Sequence, residues 1–119
     1  MATTNHAIIP DPTIDTTRIK WEAIPNGNVG DGVELGSYSD RTVQVVGTFG
    51  SGGSVSIQGS NDGGTTWATL TDQAGSALTF TSTGLRQILQ LPHMIRPNVT
   101  AGDGTTSLTV YIFGKGKIR

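Results

Sequence analysis

From Thr17 onward the chain alternates polar and apolar residues with a period of two. Arg18, Lys20 and Glu22 interleave with Ile19, Trp21 and Ala23, which is the signature of a strand with one buried face. Ile19 and Trp21 are therefore expected to point inward. Loops follow at Pro25-Asn26-Gly27-Asn28 and Gly30-Asp31-Gly32, then a short strand Val33-Glu34-Leu35 and a turn over 36–39. The stretch 41–49 repeats the alternation, with Val43, Val45, Gly47 and Phe49 on one face. Residues 54–60 do the same with Val55 and Ile57 inward. Further strands are expected over 66–70, 77–81, 86–91, 94–100 and 107–113, and Leu85 to Leu89 has room for at most one helical turn.

Turn signals recur about every eight to twelve residues, and no stretch carries a helical stripe, a pattern that predicts an all-β fold. The expected architecture is an antiparallel β-sandwich or jelly-roll-like barrel of about eight strands, forming a single domain over 17–119. Pro92 and Pro97 fall within the strand-like region 86–100, and proline is tolerated at edges, strand starts and bulges. At least one strand there is expected at an edge, where pairing with another chain is open.

Residues 1–16 lack any period and contain two prolines, so they are read as an extended N-terminal arm. Ile8, Ile9 and Pro10 are the candidate partner-binding residues of that arm, because an apolar pair with nothing local to bury it calls for a neighbouring subunit.

Composition narrows the function classes. At 119 residues the chain is one domain's length. Charged residues make up only 14 % of it, against about 25 % in a typical soluble domain, and the net charge is −1. A nucleic-acid partner is not expected, because the only basic cluster is Lys115, Lys117 and Arg119. With no cysteine there is neither a disulfide frame nor a thiolate metal site. No apolar run is long enough to span a membrane, and the opening MATTNHAIIPDP lacks the basic start and apolar core of a signal peptide. A soluble protein that stays in the cytoplasm where it is made is the expectation, with no membrane partner.

Candidate chemistry is thin. His6 and His93 show no H-x-x-x-H or H-x-H spacing, and no G-x-S-x-G elbow or phosphate-cradling loop occurs. Asp31, Asp62 and Asp103 each lie in a glycine-flanked turn and are read as turn formers rather than as the paired carboxylates of a glycosidase. No catalytic residue, cofactor or metal site is expected, and the protein is not expected to be an enzyme.

One motif stands out. The stretch SNDGGTTW, residues 60–67, places Ser60, Asp62, Gly64, Thr66 and Trp67 in the pattern S-x-D-x-G-x-T-W, which resembles the Asp-box hairpin of sialidase propellers. A propeller needs at least about four blades of some 40–50 residues, so one copy in 119 residues builds no such ring. The expected role is a structural staple, with Asp62 accepting backbone N–H bonds and Trp67 covering the turn.

Three further elements are V-x-V-x-G-T-F at 43–49, V-x-I-x-G-S-N-D-G-G-x-x-W-x-x-L at 55–70, and I-R-P-x-V-T-A-G-D-G-T-T-S-L-T-V at 95–110. Together, from Thr42 to the C-terminus, they resemble the capsid decoration, or cement, proteins of tailed bacteriophages. The resemblance implies a non-enzymatic β-sandwich on the capsid exterior of the virion. Such a protein binds the major capsid protein, cements neighbouring coat subunits after assembly in the host cytoplasm, and forms a dimer or trimer. Tail- or fibre-associated and carbohydrate-binding β modules are the alternatives. A carbohydrate-binding module is expected to expose aromatics on an open face, whereas the aromatics here are expected mostly inward.

Overall fold

A computed structural model describes residues 3–9, 16–35 and 38–116. The described residues contain strands and turns and no helix, arranged as two sheets packed face to face. The fold is a sandwich and not a closed barrel.

The five-stranded sheet is built on β6 (Tyr38–Thr48) and β12 (Ser107–Gly116), which pair antiparallel along their whole lengths. Outside β12 lies β3 (Thr16–Ile24), and beyond it β2 (His6–Ile9) forms one edge. The other edge is β10 (Gly84–Ile88), paired to β6. β10 is thus an edge strand, starting two residues earlier than the strand expected over 86–91, and the helical turn for which Leu85–Leu89 had room does not form. Its apolar residues pair in strand register, Leu85 opposite Gln44 and Ile88 opposite Arg41, so sheet pairing overrides the local Leu85–Leu89 spacing.

The second sheet centres on β7 (Ser54–Ser60) and β11 (Met94–Ala101). Four two-residue strands extend it: β4 (Val29–Gly30) and β5 (Val33–Glu34) on β11, β8 (Ala68–Thr69) and β9 (Thr79–Phe80) on β7. β1 (Thr3–Thr4) pairs parallel with β4 and completes seven.

The inward rows follow the sequence alternation. Ile19, Trp21, Val43, Val45, Val55 and Ile57 are all buried between the sheets. β3 departs from strict alternation at Ala23, which is exposed. A bulge opposite Thr109 inserts one residue, shifting the pairing from Val110↔Trp21 to Leu108↔Ile24. Ala23 takes a positive φ of 56° there, and its N–H donates to Thr109 Oγ1. The bulge returns Ile24, fully buried, to the interior in place of Ala23.

Pro97 sits in a central strand, whereas the edge in this region is β10. Val99 N–H donates to Asn28 O, so the odd-numbered residues of β11 aim their backbone groups at β4 and β5. By the Asn98↔Val29 register Pro97 stands opposite Gly30, the last residue of β4, so its missing N–H falls where that short strand ends. Its ring packs where a Cβ on Gly30 would stand 2.6 Å from Pro97 Cδ, which is why Gly30 carries no side chain.

The described part of the expected arm, 3–9, is extended and lies along the margin of both sheets, with β1 on one and β2 on the other.

Candidate functional site

The SNDGGTTW hairpin folds as a closed hydrogen-bond network. Ser60 Oγ donates to Asp62 Oδ1 at 2.7 Å and accepts from Gly64 N–H at 3.0 Å. Asp62 Oδ1 also accepts from the N–H groups of Thr65 and Thr66 at 3.0 and 2.9 Å. Bonds from the Thr66 backbone, then from the Ser60 side chain, pull the Asp62 carboxyl down to about 2. Gly63 and Gly64 turn the chain at φ 80° and 95°, a region where any Cβ is strained.

Trp67 folds back over this turn and is half-buried. Its indole N–H donates to Gly64 O at 2.9 Å. Arg96, projecting from β11, stacks on the ring with Cζ 4.1 Å from the centroid, and its Nε donates to Gln58 Oε1. The structure therefore brings Ser60, Asp62, Gly64, Thr66 and Trp67 into one unit pinned to the sheet by Arg96. Beside it opens a groove of about 530 Å³ floored by Gly59, Leu70 and Pro92, with Asp62 and Thr66 on its rim. Leu89 and Leu91 are exposed close by in sequence.

Two other aspartates are held in the same way. Asp103 accepts from the Thr105 hydroxyl at 2.6 Å and from the N–H groups of Ser51 and Thr105, and its carboxyl too lies at about 2, with the Thr105 hydroxyl the largest cause. Asp72 receives Arg86 Nη2 at 2.6 Å and Nε at 3.2 Å, along with the N–H groups of Ala74 and Ser76, and Arg86 holds its carboxyl below the usual range. Sequence reasoning did not single out Asp72; its partner lies 14 residues away, and no local spacing marks the pair.

Asp31 does more than form a turn. Its Oδ2 lies 2.7 Å from His6 Nδ1, and its Oδ1 accepts from His6 N–H and from the Trp21 indole at 2.8 and 2.9 Å. Asp31 N–H donates in turn to Thr4 O. This cluster ties β1 and β2 to the body. His93 stands elsewhere, with Nε2 3.5 Å from Glu34 and its N–H on Asn61 Oδ1. Among the described residues no three His, Asp or Glu side chains gather as a metal cluster.

Of the partner-binding candidates, Ile8 is 66 % exposed on the edge strand and Ile9 is half-buried opposite Arg18. Pro10 lies outside the described residues.

Outward aromatics are a departure from the expected pattern. On β12, Leu108, Val110 and Ile112 face in, so Tyr111 and Phe113 face out, with Phe113 37 % exposed. They line a shallow trough of about 490 Å³ with Thr42, Gln44, Val46 and Leu85.

Buried Arg41 was also missed. It is 2 % exposed; its Nη2 donates to Gln90 O, while Nε and Nη1 have no partner. Burial lowers its pKa.

No protein-family model and no curated protein sequence matches the chain. Among solved structures, it is similar to the SPBc2 prophage-derived protein YomS, with a TM-score of 0.62 and 14 % identity over 89 % of this chain and 98 % of that one. The chain therefore shares its fold, across nearly all of that molecule, with a protein of phage origin.

Proposed function

We propose that this is a phage structural protein that binds the outer surface of a capsid and cements neighbouring major capsid subunits, acting by shape rather than by chemistry. The observation that carries the reading is the fold shared with a prophage-derived protein, taken with the resemblance of residues 42–119 to capsid decoration proteins. The stapled turns support it. Asp62, Asp72 and Asp103 each fix a loop through several hydrogen bonds, giving rigid ends that lose little entropy on docking. Many copies on a symmetric shell gain avidity even when each contact is modest. On this reading the protein needs no cofactor or metal, is not an enzyme, and works on the virion exterior as a dimer or trimer, with Ile8 and Ile9 offered to a neighbour.

The test is co-sedimentation with purified shells that lack a decoration layer. Saturable binding at a fixed ratio to the major capsid protein is expected. Protein left in the supernatant at saturating concentration contradicts the proposal.

One observation favours a second reading. Tyr111 and Phe113 stand side by side in the open trough, an arrangement compatible with a carbohydrate-binding module on a tail or fibre. Binding to a glycan array, abolished by Tyr111→Ala, is the result that reading requires.

A further inference from the structure

We infer that the outer face of the five-stranded sheet is a homodimer interface, occupied by the same face of a second copy. The inference refines the oligomer in the reading above but needs no capsid, so its failure leaves shell attachment untouched.

The outward residues of a solvated sheet are ordinarily polar and often charged. Across β10, β6 and β12 the rows read differently. The register places Leu85, Gln44 and Tyr111 in one row and Gln87, Thr42 and Phe113 in the next. Val46 stands one step further along β6 and also lines the trough. These two rows carry no charge on three adjacent strands, and Leu85 is 64 % exposed. The charges lie on β3 and in the row beyond Phe113: Arg18 continues the Phe113 row, Lys20 continues the Tyr111 row and pairs with Glu22 at 3.2 Å, and the exposed Asp40 and Lys115 stand opposite each other on β6 and β12.

That asymmetry identifies a second copy as the occupant. With the dyad running along the strands between β6 and β12, Arg18 and Lys20 of each copy come to lie over the other copy's β10. The side chains facing out there, Leu85 and Gln87, are uncharged, and in the Asp40–Lys115 row each Lys115 falls over the other copy's Asp40, so no like charges meet, and the aliphatic stem of Lys20 can cover Leu85. The four strands that overlap about this dyad, β10, β6, β12 and β3, spaced about 4.8 Å apart and some seven residues long, give a face of about 19 by 24 Å. That is roughly 460 Å² in projection, below the about 800 Å² per partner of a standard interface, which fits a dimer that depends on concentration. Tyr111 and Phe113 sit at its centre, where aromatic anchors contribute most.

The experiment is sedimentation equilibrium of the full chain across a concentration series. Dimer is expected, with Leu85→Glu and Phe113→Glu each weakening association by about tenfold or more while the thermal unfolding midpoint is retained. As the chain has no cysteine, Gln44→Cys supplies a readout that does not rely on those variants folding. Beside the dyad it forms a covalent dimer on mild oxidation, whereas Thr69→Cys, exposed on the other sheet, does not. A monomer at all concentrations overturns the proposal, and so does a monomer that binds glycans through Tyr111. A trimer overturns it too, as does a dimer indifferent to all these changes.

Discussion

The His6 ring and the Asp31 carboxylate meet at 2.7 Å across 25 residues of sequence, and the same carboxylate accepts from the fully buried Trp21 indole. One side chain thus fixes the first strands to the core. His6→Ala removes one arm of the cluster and is expected to cost about 1 kcal/mol. Asp31→Ala removes both bonds to His6 and leaves the buried indole only the Asp31 carbonyl at 3.1 Å, and is expected to cost more, about 2–3 kcal/mol. Chemical denaturation measures both. Hydrogen exchange in His6–Ile9 should accelerate in each variant while β6 and β12 stay protected.

Trp67 is half-buried, so its truncation should fall short of a full core deletion. Trp67→Ala is expected to cost about 2 kcal/mol, below the about 3–5 kcal/mol of a fully buried aromatic. Trp67→Phe keeps the stacking on Arg96 and loses the bond to Gly64 O, for about 1 kcal/mol. Urea unfolding of the two variants separates packing from hydrogen bonding.

Arg41 is a buried cation with two unpaired donor atoms. Replacing it with a side chain of similar length and no charge relieves the desolvation penalty. Arg41→Met is therefore expected to leave stability unchanged or raise it, by up to about 4 kcal/mol on the scale of comparable buried-charge replacements. A marked drop in the unfolding midpoint contradicts this account of Arg41.

The three stapling aspartates predict an acid-sensitive fold. Their carboxyls titrate lower in the folded protein than in the unfolded chain, those of Asp62 and Asp103 at about 2. Their stabilisation is complete above the unfolded value of about 4 and is lost as pH falls from there toward 2. The thermal midpoint should fall over that window. Asp62→Asn and Asp103→Asn together should lower it at neutral pH and flatten the acid slope.

Period-two alternation made the sandwich and its core legible, because each strand has one buried face, and Ile19, Trp21, Val43, Val45, Val55 and Ile57 could be placed without a structure. The hairpin 60–67 was legible for a related reason, since its bonds close within a few residues. What alternation cannot carry is an insertion: the bulge at Ala23 moved Ile24 inward, and only its partner Thr109, 86 residues away, marks it. Distance also hid the His6–Asp31 and Arg86–Asp72 pairs. The outward turn of Tyr111 and Phe113 follows from the parity of Leu108, Val110 and Ile112 and was available from sequence. It was masked by the assumption that aromatics in a small sandwich face the core.

The most direct test of the central claim is electron cryomicroscopy of bare shells incubated with saturating protein. The account predicts added density of β-sandwich size on the outer surface, at fixed symmetry positions and touching at least two coat subunits. An unchanged outer surface, or density confined to the tail, contradicts it.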